Sequence, residues 1–258
     1  MDDQQQKLSK ILVIGDSCLD KYHYGSCERM SPEAPVPILK ITRTETRPGM
    51  VLNVQHHLEN FFFDTVLYTN KEEIIKERFV ESAFMQHMLR VDHGEEQKVS
   101  SISAETIDQL NFKLYSGVVI SDYDKGYISQ SAARKISKKA KKEHIPVFVD
   151  SKKTDLSCFP NAIIKINEKE SKKVKALPED YELIITVGKS GAVWNGINFP
   201  TKDVEVFDIC GAGDSFFAGF INSYLMDFNI EKSIEFANSI AAISVKNFGT
   251  YIVKREDL

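Results

Sequence analysis

Asp208-Ile209-Cys210-Gly211-Ala212-Gly213-Asp214 runs directly into an apolar, helix-like stretch, Ser215-Phe216-Phe217-Ala218-Gly219-Phe220-Ile221. Two glycines around an alanine let the backbone bend tightly and come close to a ligand. A helix starting here aims free N–H groups and the positive end of its dipole at one point, which makes an anion site. Asp214 stands at the mouth of that site. In a phosphoryl-transfer enzyme a carboxylate there serves as a base beside an anion hole. In a structural setting it caps a helix after a glycine turn. The heptad by itself supports both readings.

Upstream, the chain alternates short apolar runs with helical patterns. Ile11 to Gly15 reads as a buried strand, and Asp64 to Tyr68 as another. From Ala104 onward the rhythm is regular. Helical patterns at Glu105–Leu114, Ser129–His144 and Glu168–Lys175 separate strands at Val118–Ile120, Pro146–Val149, Ala162–Ile166 and Leu183–Thr186. Strand-like Ala192–Trp194 and Val204–Phe207 precede two helices, Ala212–Met226 and Ile230–Lys246. This pattern predicts an α/β fold, a mainly parallel sheet between layers of helices. Asp16, Asp122, Asp150, Asn167 and Thr186 all close predicted strands, and with Asp214 they would gather along the carboxyl edge, where open α/β sheets bind ligands. That placement indicates an enzyme without saying which.

One segment breaks the rhythm. Pro32, Pro35 and Pro37 exclude a helix or a central strand. The stretch from Tyr22 to Thr42 therefore reads as a β excursion that covers a site or pairs with another subunit. Met50–Asn60 is helical in spacing, and Arg78–Val91 is extended, as in a hairpin. With 258 residues, 42% hydrophobic, and no low-complexity linker, residues 1–258 are expected to form one domain with a β lid at about 22–42.

Composition excludes several classes. A net charge of −4 gives no overall reason to bind nucleic acid or an anionic membrane. The lysine clusters fall on polar helix faces. The polar start Met1–Lys7 is unlike a signal peptide, and the apolar runs are too short to span a bilayer. Cys18, Cys27, Cys158 and Cys210 show neither CxxC spacing nor a histidine at metal-ligand spacing, so reduced thiols, a cytoplasmic location and no structural metal are expected.

The chain resembles the ribokinase-like (PfkB) carbohydrate kinases along nearly its whole length, in ILVIGDSCLDKYHYG, ERMSPEAPVPILK, TRPG with Asn53, MLRVD, SDYDKG, PVFVDSKKTDLSCF, INEKE, TVGKSG, DICGAGDSFFAG and FANSIAAISVKNFGT. GAGD marks the superfamily; the SPEAPVP lid with SDYxKG and VDxK is similar to the narrower branch of heptose-7-phosphate kinase domains. The resemblance implies a ribokinase-like three-layer α/β/α sandwich, ATP and Mg²⁺ as cofactors, and a homodimer paired through the β lid. It implies Asp214 as general base, with Gly211, Ala212 and Gly213 as the anion hole. Asn167 and Glu170 would match an NxxE motif that supports Mg²⁺, Glu170 acting through water. Thr186, Gly188 and Gly191 would line the nucleotide, and Asn238 would approach adenine. Asp16, Gly49 and Asn53 would hold the sugar, and Arg90, Lys125 and Lys152 would meet its phosphate.

The implied reaction is transfer from ATP to the anomeric hydroxyl of D-glycero-D-manno-heptose 7-phosphate, giving the 1,7-bisphosphate. Departures from the pattern leave two alternatives open. Met50 stands where the family has a second glycine, which motivates a different sugar. Thr69–Lys76 replaces roughly a helix-plus-strand unit, which motivates a sugar-phosphate-binding protein without turnover. Cys210 replaces a usual Thr, and no nucleotidyltransferase segment is present, so nucleotidyl transfer is not expected.

Overall fold

The structure is a computed structural model that describes residues 10–61 and 63–257. The Met1–Lys7 stretch lies outside the described residues. The elements run β1 (Lys10–Gly15), β2 (Ser17–Met30), β3 (Pro37–Met50), α1 (Val51–Asn60), β4 (Asp64–Thr69), β5 (Ile75–Glu81), β6 (Gln86–His93) and α2 (Ala104–Gln109). They continue with β7 (Gly117–Asp122), α3 (Gln130–Lys142), β8 (Val147–Ser151), β9 (Ala162–Asn167), α4 (Glu168–Ser171), β10 (Tyr181–Thr186), β11 (Ala192–Trp194), β12 (Ile197–Phe199), α5 (Ala212–Asp227) and α6 (Ile230–Ser244).

Eight strands form the central sheet in the order β12-β11-β10-β9-β8-β7-β1-β4. The six from β10 to β4 are mutually parallel, and β11 and β12 close one edge antiparallel. Alternate residues of each strand feed opposite faces. Leu12, Ile14, Val118 and Ile120 pack with Ile107 of α2 and Ala133, Ile136 and Ala140 of α3. Ile11, Val13 and Val119 pack on the other face with α1 (Val54, Leu58), α5 (Phe217, Phe220) and α6 (Ile234, Ala237). Three layers result, as expected for strands buried on both faces.

A second sheet, β3-β2-β5-β6, is the lid. It is larger than the expected 22–42: β2 begins at Ser17, straight after β1, and β3 runs to Met50. A separate segment adds the β5–β6 hairpin, with β5 parallel to β2. The three prolines fall in and beside the turn joining β2 to β3, where no ladder bond is lost. The compressed Thr69–Lys76 stretch is what carries the chain from β4 straight into the lid.

Other sequence expectations also shift. Val204–Phe207 is not a strand. It finds no sheet neighbour, and Phe207 is exposed with its N–H on Val245 O. The strand that follows β11 is instead β12, after the Asn195-Gly196 turn. The helix expected over Glu168–Lys175 is a single turn, and Glu105–Leu114 breaks at Leu110.

Met50 differs from expectation in direction. Its φ of 56° and ψ of −128° lie in a region that favours glycine, so the backbone there is strained. Its side chain, however, is buried in the core with Cys18, Leu12 and Ile74. The extra bulk fills the interior under the lid.

Candidate active site

Gly211, with φ +76°, is the N-cap of α5, and the first intrahelical bond is Ser215 N–H to Gly211 O at 2.9 Å. The amides of Gly213 and Asp214 precede that bond and so have no carbonyl acceptor within the helix. Ala212, expected to contribute to the anion hole, is partly diverted: its N–H is directed at Ile209 O, 3.3 Å away. Beside this helix start lies a cation that sequence reasoning missed. Lys165 of β9 is 5% exposed, and its Nζ lies 3.0 Å from where a Cβ on Gly213 would sit. Its ammonium bonds Asp150 Oδ2 at 2.7 Å. Burial alone would favour a neutral amine, but Asp150 reverses that and holds the pKa above the ordinary value.

Asp214, in the first turn of α5, is 5% exposed. Asn53 Nδ2 donates to its Oδ2 at 2.8 Å, and the Tyr123 hydroxyl donates to its Oδ1 at 3.0 Å. Burial pushes this carboxyl up to about 6, even though Asn53, Lys165 and Tyr123 pull it down; the nearby Asp150 charge adds to the rise. A carboxylate tuned this close to neutrality is ionised at pH 7 yet basic enough to accept a proton. Asn53 Oδ1 is buried with no protein partner, which leaves it free to accept from a ligand hydroxyl.

Asp16 departs from its expected role. It is fully buried, and both its oxygens accept backbone N–H groups, from Tyr123 (2.8 Å), Lys125 (3.2 Å) and Tyr127 (3.2 Å). It fastens the loop after β7 to the end of β1 and so sets where Tyr123 stands. The carboxylate carried by the base of the lid is Asp20 of β2, four residues on. It is 4% exposed, ion-paired with Arg78 of β5, and next to Gly49. Any side chain on Gly49 would meet Asp20 Oδ2 and Cys18 Sγ at 2.6 Å, so that glycine serves close packing at the lid base. Asp20 sits in the same sequence stretch as Asp16, and only the lid register separates the two.

The expected phosphate-binding cations are partly assembled. Lys152 Nζ lies 3.9 Å from the centre of the Tyr123 ring, and Lys76 Nζ lies 5.6 Å from it. Lys125 pairs with Glu95 at 2.9 Å, and Lys76 approaches the same carboxylate at 3.9 Å. Glu95 thus occupies a point between two ammonium groups. Arg90 is directly across from Arg78 in the lid, but its side chain is over half exposed and bonded to Asp92 on its own strand. It is not drawn into the cluster.

On the side expected to hold nucleotide, Asn167 and Glu170 form a reciprocal capping box: Asn167 Oδ1 accepts Glu170 N–H at 2.9 Å, and Glu170 Oε2 accepts Asn167 N–H at 2.8 Å. The second Glu170 oxygen stays available. Thr186 ends β10, and Gly188 and Gly191 shape the turn after it. Gly191 has φ +89°, and a Cβ there would run into the Phe199 carbonyl. Asn238 is 4% exposed, and its Nδ2 donates to Phe199 O at 2.9 Å, so it anchors the strand ahead of the 200–208 segment.

A pfkB family carbohydrate kinase model matches residues 95–257. Among curated proteins, Bifunctional protein HldE of Campylobacter jejuni (strain RM1221) is 32% identical over 98% of this chain and 64% of its own length. Bifunctional protein HldE of Helicobacter pylori (strain Shi470) is 28% identical over 97% of this chain and 66% of its own. The chain therefore spans about two thirds of the length of these relatives. Among solved structures, Arabidopsis thaliana ribokinase complexed with ribose and ATP aligns with a TM-score of 0.67 at 15% identity, covering 97% of each chain. Escherichia coli phosphofructokinase-2 in complex with potassium aligns with a TM-score of 0.70 at 16% identity, covering 97% of this chain and 96% of that one. At these identities the structural matches speak for the fold alone.

Proposed function

Because this chain belongs to the pfkB family of carbohydrate kinases, we propose that it transfers phosphate from ATP to a sugar phosphate, with D-glycero-D-manno-heptose 7-phosphate and its anomeric hydroxyl as the acceptor. The observation that carries this reading is Asp214: a buried carboxyl near neutrality, beside the start of α5 and next to Lys165. Asp214 takes the proton from the acceptor hydroxyl. The α5 amides and the Lys165 ammonium face the charge on the transferring group. Asn53 orients Asp214 through Nδ2 and offers Oδ1 to the sugar.

The residues present fit MgATP: a glycine turn at 188–191, a free Glu170 oxygen for a hydrated cation, and a helix start for phosphate. When bound, MgATP supplies the phosphoryl group. The Lys76 and Lys152 ammoniums near Tyr123, with Lys125 joined to Lys76 through Glu95, favour an acceptor with a phosphate of its own, which would displace Glu95 from between Lys76 and Lys125. Met50, turned into the core, gives no support to a different sugar.

The test is coupled ADP release over a panel of sugars and sugar phosphates, with Asp214→Asn as control. Turnover of heptose 7-phosphate, lost in the control, is expected; turnover only of another sugar would refute the named acceptor. Ligand binding without turnover of any acceptor would favour a non-catalytic protein. We further propose a cytoplasmic homodimer through the lid, whose outer face carries the His23–Phe79 stack and exposed Leu89 and Ile41. Light scattering at micromolar concentration should give the mass of two chains, and a monomer mass would overturn this. No helix among the described residues is long and apolar enough to cross a membrane.

A further inference from the structure

His87, Asp208 and Cys210 come from two distant parts of the chain, yet their donor atoms all lie within 4.8 Å of one another. His87 belongs to β6 of the lid. Asp208 and Cys210 belong to the loop that leads into Gly211. We propose that these three side chains form a site for a soft, four-coordinate divalent transition metal of the Zn²⁺ class, which fastens the lid to the start of α5.

The donor set decides the metal class. One imidazole nitrogen, one carboxylate oxygen and one sulfur suit Zn²⁺ or Co²⁺, whereas Mg²⁺ and Ca²⁺ take oxygen ligands. Bond lengths of about 2.0–2.3 Å place tetrahedral ligands about 3.3–3.8 Å apart. His87 Nε2 and Asp208 Oδ2 are already 3.6 Å apart. A swing of about 1 Å brings the Cys210 sulfur in, and the fourth position is left for water or a ligand atom.

The ligands are also held from behind, as metal ligands usually are. Asp208 Oδ1 accepts Cys210 N–H and Oδ2 accepts Gly249 N–H, each at 2.9 Å. Each oxygen retains lone pairs for a cation. The His87 ring lies along Phe248 at 5.1 Å and 23°, with Tyr22 edge-on at 6.4 Å. His87 is exposed, which gives an ion a path in. Burial and the adjacent Asp208 charge push the Cys210 thiol up to about 11, so without a metal it stays protonated. A bound cation would reverse that balance. Cys210 is one of the positions where the chain departs from its family resemblance, and the departure replaces a hard hydroxyl with a soft sulfur. The spacing from 87 to 208 hid the site from the sequence.

This inference stands apart from the kinase reading, and so does its test. The metal-stripped protein is titrated with Co²⁺ alone and followed by absorption, then with Zn²⁺ against a chromophoric chelator. One equivalent of Co²⁺ should produce a thiolate-to-cobalt charge-transfer band with tetrahedral ligand-field bands. Cys210→Ser should abolish the charge-transfer band, and His87→Ala should weaken Zn²⁺ binding about tenfold or more. Cys27→Ser should leave both intact. A charge-transfer band that survives Cys210→Ser, Zn²⁺ affinity unchanged in His87→Ala, or no stoichiometric binding would each overturn the site. Should Cys210→Ser melt prematurely, His87→Ala, on an exposed lid strand, decides the matter alone.

Discussion

Replacing Tyr123 with phenylalanine isolates one atom of the site, the hydroxyl that donates to Asp214 Oδ1 at 3.0 Å. The ring, and the Lys152 ammonium over it, remain. A hydrogen bond to a charged group is worth about 1.5–3 kcal/mol, which at 1.36 kcal/mol per unit raises the Asp214 pKa by about 1–2 units. From a start of about 6, the carboxyl would titrate at about 7–8 in the variant. In the role proposed for it, Asp214 must be ionised to act. At pH 7 its ionised fraction therefore falls from about 90% to between about 10% and 50%, and it recovers as the pH passes 9. The assay is the pH dependence of kcat/KM, in which the acid limb should move up by that interval while the alkaline plateau persists. Carbon-13 NMR of the Asp214 carboxyl tracks the same shift without turnover. An unmoved acid limb, or an equal loss at every pH, would refute the role assigned to this hydroxyl.

The same carboxyl makes a stability prediction. A folded-state pKa raised from 3.8 to about 6 means that the native state is penalised as pH rises through that window and carries the full penalty above it. Asp214→Asn should therefore be more stable than the wild type at pH 8, by up to about 3 kcal/mol, and lose that advantage near pH 4. Urea denaturation at the two pH values checks this, and a pH-independent difference would contradict it. Arg78→Ala strands the buried Asp20 charge and should cost about 3–5 kcal/mol in the same assay; a cost below about 1 kcal/mol would show that Asp20 had found another partner. Gly191→Ala forces a side chain against the Phe199 carbonyl at a positive φ, so calorimetry should show weakened ATP binding with acceptor binding retained.

The core strands were legible because parallel strands covered on both faces read as unbroken apolar runs: Ile11–Ile14 and Val118–Ile120 could be little else. The lid was not. β2, β3, β5 and β6 are half-wet, so their polar and apolar residues mix, and the pairing of β2 with β5 joins segments that only the fold brings together. The glycine turn ahead of α5 singles out Asp214 without deciding between a base and a helix cap, and Asn53 is singled out by the family resemblance alone. The environment of Asp16 does not show in the sequence for a physical reason: a strand-end carboxylate looks the same whether it faces a ligand or three backbone amides. Lys165 left a signal that went unused. A lysine inside an apolar strand demands a buried carboxylate, and Asp150, in register with it on β8, is that partner.

The lid's construction from two chain segments bears on how the protein assembles and moves. A simple hairpin flap hangs on two chain crossings. This sheet joins the body at four places, after β1, before α1, after β4 and before α2. The parallel β2–β5 seam can form only after α1 and β4 have brought residues 17–30 and 75–81 together, so closing it incurs the entropy of a long intervening loop. If that closure comes late in folding, destabilising the seam should speed unfolding more than it slows refolding. Once formed, the sheet is tied to the body at all four attachments, so a change at any single connecting residue leaves three others in place.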